Sequence, residues 1–108
     1  MKKSSIEKFR EEDKRKASDI PYSYIVDFMT EQCPEGERFK SVCMGDRDWW
    51  YVVSYINDTD KHGDIVPLVI VKSYAVNRQM WIYKCLHVSE LYYKLRLTAG
   101  SLDTDEKM

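Results

Sequence analysis

Glycine, proline and cysteine are all scarce in this chain of 108 residues, which contains 4 Gly, 3 Pro and 3 Cys. So few glycines and prolines exclude a collagen-like or low-complexity chain. The cysteines, Cys33, Cys43 and Cys85, are odd in number and lack paired spacing, so we expect free thiols rather than a disulfide framework. A chain of this length buries about 65% of the surface that it exposes when unfolded, which is enough for one core without disulfides or metals. The sequence therefore predicts one main domain.

Long apolar runs are absent as well. No stretch approaches the ~20 apolar residues that a membrane-spanning helix requires. The basic N-terminus is followed by Glu7, Glu11 and Glu12, where a signal peptide needs an apolar run. We therefore expect a cytoplasmic protein without a membrane partner.

Neither sign of charge dominates, because 17 Lys and Arg are balanced by 18 Asp and Glu. The chain thus lacks the large positive excess of proteins that coat nucleic acid or anionic membranes. The charges are unevenly distributed, since residues 21–64 carry 4 basic and 9 acidic side chains and residues 65–97 carry 5 basic and 1 acidic. We expect these segments to neutralise each other across a hairpin, with a dipolar surface as the alternative.

Motifs for phosphate, metal or catalysis are missing. Four scattered glycines form neither a GxxxxGK[ST] loop nor a GxGxxG turn. Cys85 and His87 are too close in sequence for the usual ligand spacing of a structural zinc site. No glycine-rich oxyanion turn accompanies any cysteine and histidine pair. We therefore expect no cofactor, no metal and no catalytic residues.

The polar segment 57–64 partly matches a calcium-binding loop. Asp58, Asp60 and Gly63 occupy the first, third and sixth positions of an EF-hand pattern, but Val69 stands at the twelfth, which requires a bidentate Glu. We expect instead a hairpin loop in which the Asp side chains bond to their own backbone.

Two helices are predicted on the N-terminal side of the main domain. Ser4 and Glu7 have capping-box spacing, which begins a charged helix within residues 1–18. Few apolar residues lie in this segment, so we expect a solvated leader. A second helix begins at Pro21 and ends near residues 33–36. Its apolar stripe consists of Tyr22, Ile25, Val26, Met29 and Cys33.

The segment 87–97 fits two patterns. A helix would place Val88, Leu91, Tyr92 and Leu95 on one side, whereas a strand would alternate Tyr93, Leu95 and Leu97 with basic residues. We favour the helix. Residues 99–108 carry three acids and predict a mobile tail, so the main domain is placed at residues 19–98.

Between these helices, apolar residues recur at every second position, which is the pattern of β-strands. Strands are predicted at residues 39–44, 49–56, 65–72 and 80–83, with turns at 45–48, 57–64 and 75–78. Pro67 predicts an edge position or a bulge in the third strand. Short loops favour an antiparallel meander. The predicted fold class is α+β: a three- to four-stranded antiparallel sheet, a core helix before it and a helix after it.

The segment 49–56 is apolar on both faces. Strict alternation places Trp49, Tyr51 and Tyr55 on one face, and the core-type residues Trp50, Val52 and Ile56 on the other. Because the predicted helices cover about one face of the sheet, the other is expected to remain partly open. Aromatic side chains with a polar group are frequent at interfaces. The predicted partner-binding residues are Trp49, Tyr51, Tyr55, Trp81 and Tyr83.

These patterns favour a small non-catalytic protein-binding domain, acting as an adaptor, an inhibitor or a self-associating subunit. The alternative is a module for single-stranded nucleic acid, in which the same aromatics stack on bases beside Lys and Arg. The sequence lacks the motifs of the common RNA-binding folds, which ranks this alternative second. An enzyme without a recognisable motif ranks third.

Overall fold

A computed structural model describes residues 8–9, 20–45 and 48–106, with side chains up to residue 99. The helices are α1 (Tyr22–Gln32) and α2 (Val88–Glu106). The strands are β1 (Arg38–Phe39), β2 (Trp50–Thr59), β3 (Ile65–Ala75) and β4 (Met80–His87). They form one antiparallel sheet in the order β1-β2-β3-β4. The predicted α+β meander, with one helix before the sheet and one after it, is confirmed.

The core lies between the two helices and one face of the sheet, here called the inner face. Helix α1 contributes Ile25 and Met29, and its C-cap residue is Cys33; each is at most 1% exposed. These are three of the five residues in the predicted stripe; Tyr22, by contrast, is 64% exposed. From β2, Trp50 and Val52 are buried as predicted, and the Trp50 indole N–H donates to the carbonyl of Met44 at 3.0 Å.

Helix α2 confirms the favoured interpretation of segment 87–97. Its predicted apolar side, Val88, Leu91, Tyr92 and Leu95, is buried. The His87 ring caps its start, because Nδ1 accepts from the backbone N–H of Ser89 at 3.1 Å. The helix continues to Glu106, so the predicted tail at 99–108 begins inside it. The mobility of that tail stays a prediction.

The predicted N-terminal helix, residues 1–18, lies outside the described residues except for Lys8 and Phe9. These two are helical, and Phe9 is only 2% exposed. Its ring lies 5.2 Å from that of Phe28 and 6.3 Å from that of Tyr92, between centroids. Phe9 therefore belongs to the core.

The predicted strand at 39–44 is wrong beyond its first residue. The chain leaves the sheet after Phe39 and forms a 3₁₀ helix at Val42–Met44. Ser41 explains the change, because its hydroxyl oxygen accepts from the Cys43 N–H at 3.2 Å and lies 2.9 Å from the Thr98 hydroxyl on α2. A buried side-chain bond to α2 thus replaces strand pairing in this segment.

Two features of the sheet bear on predictions made from the sequence. Pro67 is opposite Asn57 in β3, and the pairing of β3 with β4 begins one residue later, at Leu68 and His87. Because β3 lies between β2 and β4, the predicted edge position is wrong for the strand as a whole; Pro67 is accommodated because it lies outside the ladder with β4. In the β2–β3 turn, the Asp60 carboxylate accepts from the backbone N–H of His62 and of Asp64, which confirms the predicted self-bonded loop.

A β-bulge in β2 reverses the predicted faces of its second half. Val52 pairs with Val71, but Ser54 pairs with Ile70, so Val53 is an extra residue between them. One extra residue moves every later side chain to the opposite face. Tyr55 is therefore turned toward the core, opposite the buried Val69.

Candidate functional site

The face of the sheet turned away from α1 and α2, here called the outer face, carries a group of five aromatic residues. Strand register places four of them on this face, and Trp49 lies just before β2, in contact with Arg38, which pairs opposite Tyr51. We call the five residues the outer aromatic cluster: Trp49, Tyr51, Tyr74, Trp81 and Tyr83. The Trp81 ring lies at its centre, 5.9 Å from the Tyr51 ring and 5.3 Å from the Tyr74 ring, at interplanar angles of 79° and 67°. These are edge-to-face contacts.

The cluster faces solvent over much of its area. The exposed fractions are 41% for Trp49, 43% for Tyr74, 42% for Trp81 and 59% for Tyr83. Contiguous exposed aromatic surface of this kind marks interaction sites in soluble proteins more often than isolated apolar side chains do.

Three basic side chains lie over the tryptophan rings of the cluster. The Arg38 guanidinium carbon is 4.2 Å and the Lys40 Nζ 4.8 Å from the centroid of Trp49. The Lys72 Nζ is 4.5 Å from the centroid of Trp81. No ion pair to any of the three occurs among residues 20–45 and 48–99. The outer face is therefore both aromatic and positively charged, with its cations held by cation–π contacts.

The structure places four of the five predicted site residues on this face. Trp49, Tyr51, Trp81 and Tyr83 lie together, whereas the prediction that Tyr55 shares their face is wrong because of the bulge at Val53. The same bulge corrects the core assignment of Ile56, which is 39% exposed on the outer face. That the four residues bind a partner stays a prediction.

Sequence reasoning missed Tyr74 and the role of Arg38. Tyr74 lies beyond the predicted end of the third strand, but β3 continues to Ala75 and pairs Tyr74 with Trp81. The alternation of Lys72 and Tyr74 with Val71 and Ser73 was the signal that this strand continues. Arg38 reaches Trp49 because β1 pairs it opposite Tyr51.

Tyr55 has a structural role on the inner face. Its hydroxyl donates to the carbonyl oxygens of Met29 and Cys33, at 3.1 and 2.7 Å. Both carbonyls lie at the C-terminal end of α1. That of Met29 also accepts from the Cys33 N–H at 2.8 Å, whereas Cys33 lies beyond the last helical residue, where carbonyl oxygens lack helical partners. Burial, together with the nearby Cys33, raises the pKa of the Tyr55 hydroxyl above its ordinary value. The neutral Tyr55 side chain thus connects β2 to the end of α1 by hydrogen bonds.

We expect Tyr55→Phe to lower the free energy of unfolding by about 1–2 kcal/mol, because it leaves a partly buried carbonyl without its donor. Chemical denaturation followed by circular dichroism measures this. The control is Tyr83→Phe, whose exposed hydroxyl should matter by less than about 0.5 kcal/mol. Equal effects of the two substitutions would contradict the role of Tyr55.

Other chemistry-bearing groups are dispersed. All three cysteines are free, and burial raises the pKa of the Cys33 thiol to about 12, which keeps it protonated and unreactive. In the described part of the chain, no three His, Cys, Asp or Glu side chains come together as a metal site. The His87 and Ser89 side chains are 2.7 Å apart, but they cap α2.

Searches against protein-family models, curated proteins and solved structures found no match to the chain. No helix within the described residues is long and apolar enough to cross a membrane. The outer face is therefore the feature from which a function can be inferred.

Proposed function

We propose that this chain is a small cytoplasmic, non-catalytic protein-binding domain that captures a partner protein on its outer face. The observation that carries the proposal is the outer aromatic cluster, in which four of the five side chains are 41–59% exposed although the helices cover the inner face. The three free thiols support a reducing compartment.

The composition of the cluster suits a protein interface. Interface centres are enriched in Trp, Tyr and Arg, which combine large contact area with directional polar groups. Here two Trp and three Tyr lie beside Arg38. Trp and Tyr side chains have only two rotatable torsions each, so little side-chain entropy is lost when a partner covers them.

Charge indicates the chemistry of that partner. Three cations, Arg38, Lys40 and Lys72, lie over the tryptophan rings of the outer face. The one acidic residue of the four strands, Asp58, is at the far end of β2. Electrostatic complementarity therefore favours an acidic surface with apolar side chains between its carboxylates.

Single-stranded nucleic acid is the second candidate, favoured by the same three cations over Trp49 and Trp81. Two features weigh against it. The cations occupy ring faces on which bases would stack, and the edge-to-face packing of Trp81 with Tyr51 and Tyr74 leaves no flat row of rings. We therefore rank protein binding first.

The proposal is tested by quantitative capture from the native cell, with the wild-type chain, Tyr83→Ala and Leu97→Ala as baits. Leu97, on α2, is 60% exposed and matches Tyr83 at 59%, so it controls for loss of exposed apolar area. We expect a protein that the wild type and Leu97→Ala retain and Tyr83→Ala loses, and that binds again when purified. A partner set that is identical for all three baits would contradict the proposal.

Salt separates the two candidates. Binding to phosphates through several cations weakens by orders of magnitude between about 50 and 200 mM salt, whereas an aromatic interface changes little. We expect no shift of single-stranded oligonucleotides even at about 50 mM salt, where binding to phosphates would be strongest. Oligonucleotide binding that weakens steeply over this range and is lost in Tyr83→Ala would establish the second candidate instead.

A further inference from the structure

Strand β4 ends the sheet in the described part of the chain, and its outer edge has no neighbour there. Its sequence is MWIYKCLH, eight residues without proline and with one Lys. Native proteins commonly protect edges of this length with charge, proline or a covering segment, because an open edge pairs readily with another strand.

The hydrogen bonds of Val52 determine toward which neighbour the backbone N–H and carbonyl groups of β4 point. The Val52 N–H donates to the Glu37 carbonyl and its own carbonyl accepts from Gly36, so its backbone groups point toward β1. Backbone direction alternates along a strand, so the preceding residue, Tyr51, points toward β3, where it pairs with Lys72. Lys72 must then point toward β2.

The same alternation extends across β3. The neighbours of Lys72, Val71 and Ser73, point toward β4, where they pair with Lys84 and Ile82. The alternate β4 residues, Trp81, Tyr83 and Cys85, therefore present their N–H and carbonyl groups to the open edge. Their side chains lie on the outer face.

Lys84 lies on the inner face of this edge strand. It is exposed, and its Nζ is 5.2 Å from the ring centroid of Trp50. No carboxylate pairs with it in residues 20–45 and 48–99. An inward-pointing Lys on an edge strand opposes pairing with a second apolar strand, including that of another copy. An acidic side chain placed opposite it would instead form a favourable cross-strand pair.

We propose that an extended segment of the partner adds to β4 as an antiparallel fifth strand, with apolar side chains on the outer face and an acidic side chain opposite Lys84. This inference rests on the proposed function and names the segment chemistry that the partner supplies. Apolar residues opposite Trp81 and Tyr83 enlarge the outer aromatic cluster. The backbone of β4 provides affinity and Lys84 selects the charge of the segment.

The probe is a capped nine-residue peptide that alternates valine with glutamate, studied by NMR titration of the full chain. In an antiparallel pair, the valines opposite Trp81 and Tyr83 direct their amides at β4, while the glutamate amides point away. We expect the peptide to slow amide exchange at Trp81, Tyr83 and Cys85. N-methylation of the valines should abolish binding, and N-methylation of the glutamates should leave it within about twofold.

A second experiment reverses the charge at Lys84 and in the peptide. Lys84→Glu should weaken the glutamate peptide about tenfold and strengthen a valine–lysine peptide by a similar factor, because an attractive cross-strand pair becomes repulsive. Lys61→Glu, in the exposed β2–β3 loop, is the matched control and should change neither affinity by more than about twofold.

Three outcomes would overturn strand addition: no binding of the glutamate peptide, equal binding after valine N-methylation, or indifference to Lys84→Glu. The proposed function is judged separately, by capture with Tyr83→Ala and Leu97→Ala. If a partner is lost from Tyr83→Ala but kept by Lys84→Glu, that result would support the outer face as the binding surface and contradict strand addition.

Discussion

We expect Trp50→Ala to lower the free energy of unfolding by about 3–5 kcal/mol, the usual cost of removing a large aromatic side chain from a core. Trp50 is 5% exposed on the inner face, pairs with Phe39 across the β1–β2 ladder, and donates from its indole to the Met44 carbonyl. The substitution removes apolar burial, opens a cavity and leaves that carbonyl without its donor. For a domain with about 5–15 kcal/mol of stability, this is a large fraction.

The matched control is Tyr83→Ala, on the opposite face of the sheet. Tyr83 is 59% exposed, so its truncation should cost less than about 1 kcal/mol. Urea denaturation followed by far-ultraviolet circular dichroism gives the free energy of unfolding of both variants. Losses of equal size would mean that both faces belong to the core, and the binding face would be disproved.

Most of the fold could be predicted from sequence because its signals are local. The spacing of Ile25, Met29 and Cys33 predicts the buried side of α1, and β-branched and aromatic residues mark three of the four strands. Alternation also predicts correctly that Trp50 and Val52 are core residues and that Tyr51 lies opposite them. In each case the residue's own neighbours determine its environment.

The sequence predictions are wrong where contacts between distant segments determine the local structure. Nothing in the sequence of segment 49–56 indicates a bulge at Val53. The bulge places the Tyr55 hydroxyl at the end of α1, more than twenty residues away in sequence. Strand β1 stops early because Ser41 meets Thr98, which lies at the other end of the chain. Such pairings depend on the assembled core, so the sequence pattern of one segment cannot reveal them.

The second large effect concerns binding. We expect the double substitution Trp81→Ala, Tyr83→Ala to weaken affinity for the partner by about 100-fold or more. Truncation of a single interface anchor commonly costs about 2 kcal/mol or more, and the two side chains occupy successive outer-face positions of β4. Because both rings are about half exposed, the same change should leave the domain folded.

Isothermal titration of the purified partner is the most direct test of the claim that the outer aromatic cluster is the binding surface. Three chains are compared at 200 mM salt: the wild type, the Trp81→Ala, Tyr83→Ala double variant, and Leu97→Ala. We expect Leu97→Ala to bind within about threefold of the wild type, and the double variant, still folded by circular dichroism, to lose about 100-fold or more in affinity. A folded double variant with wild-type affinity would contradict the claim.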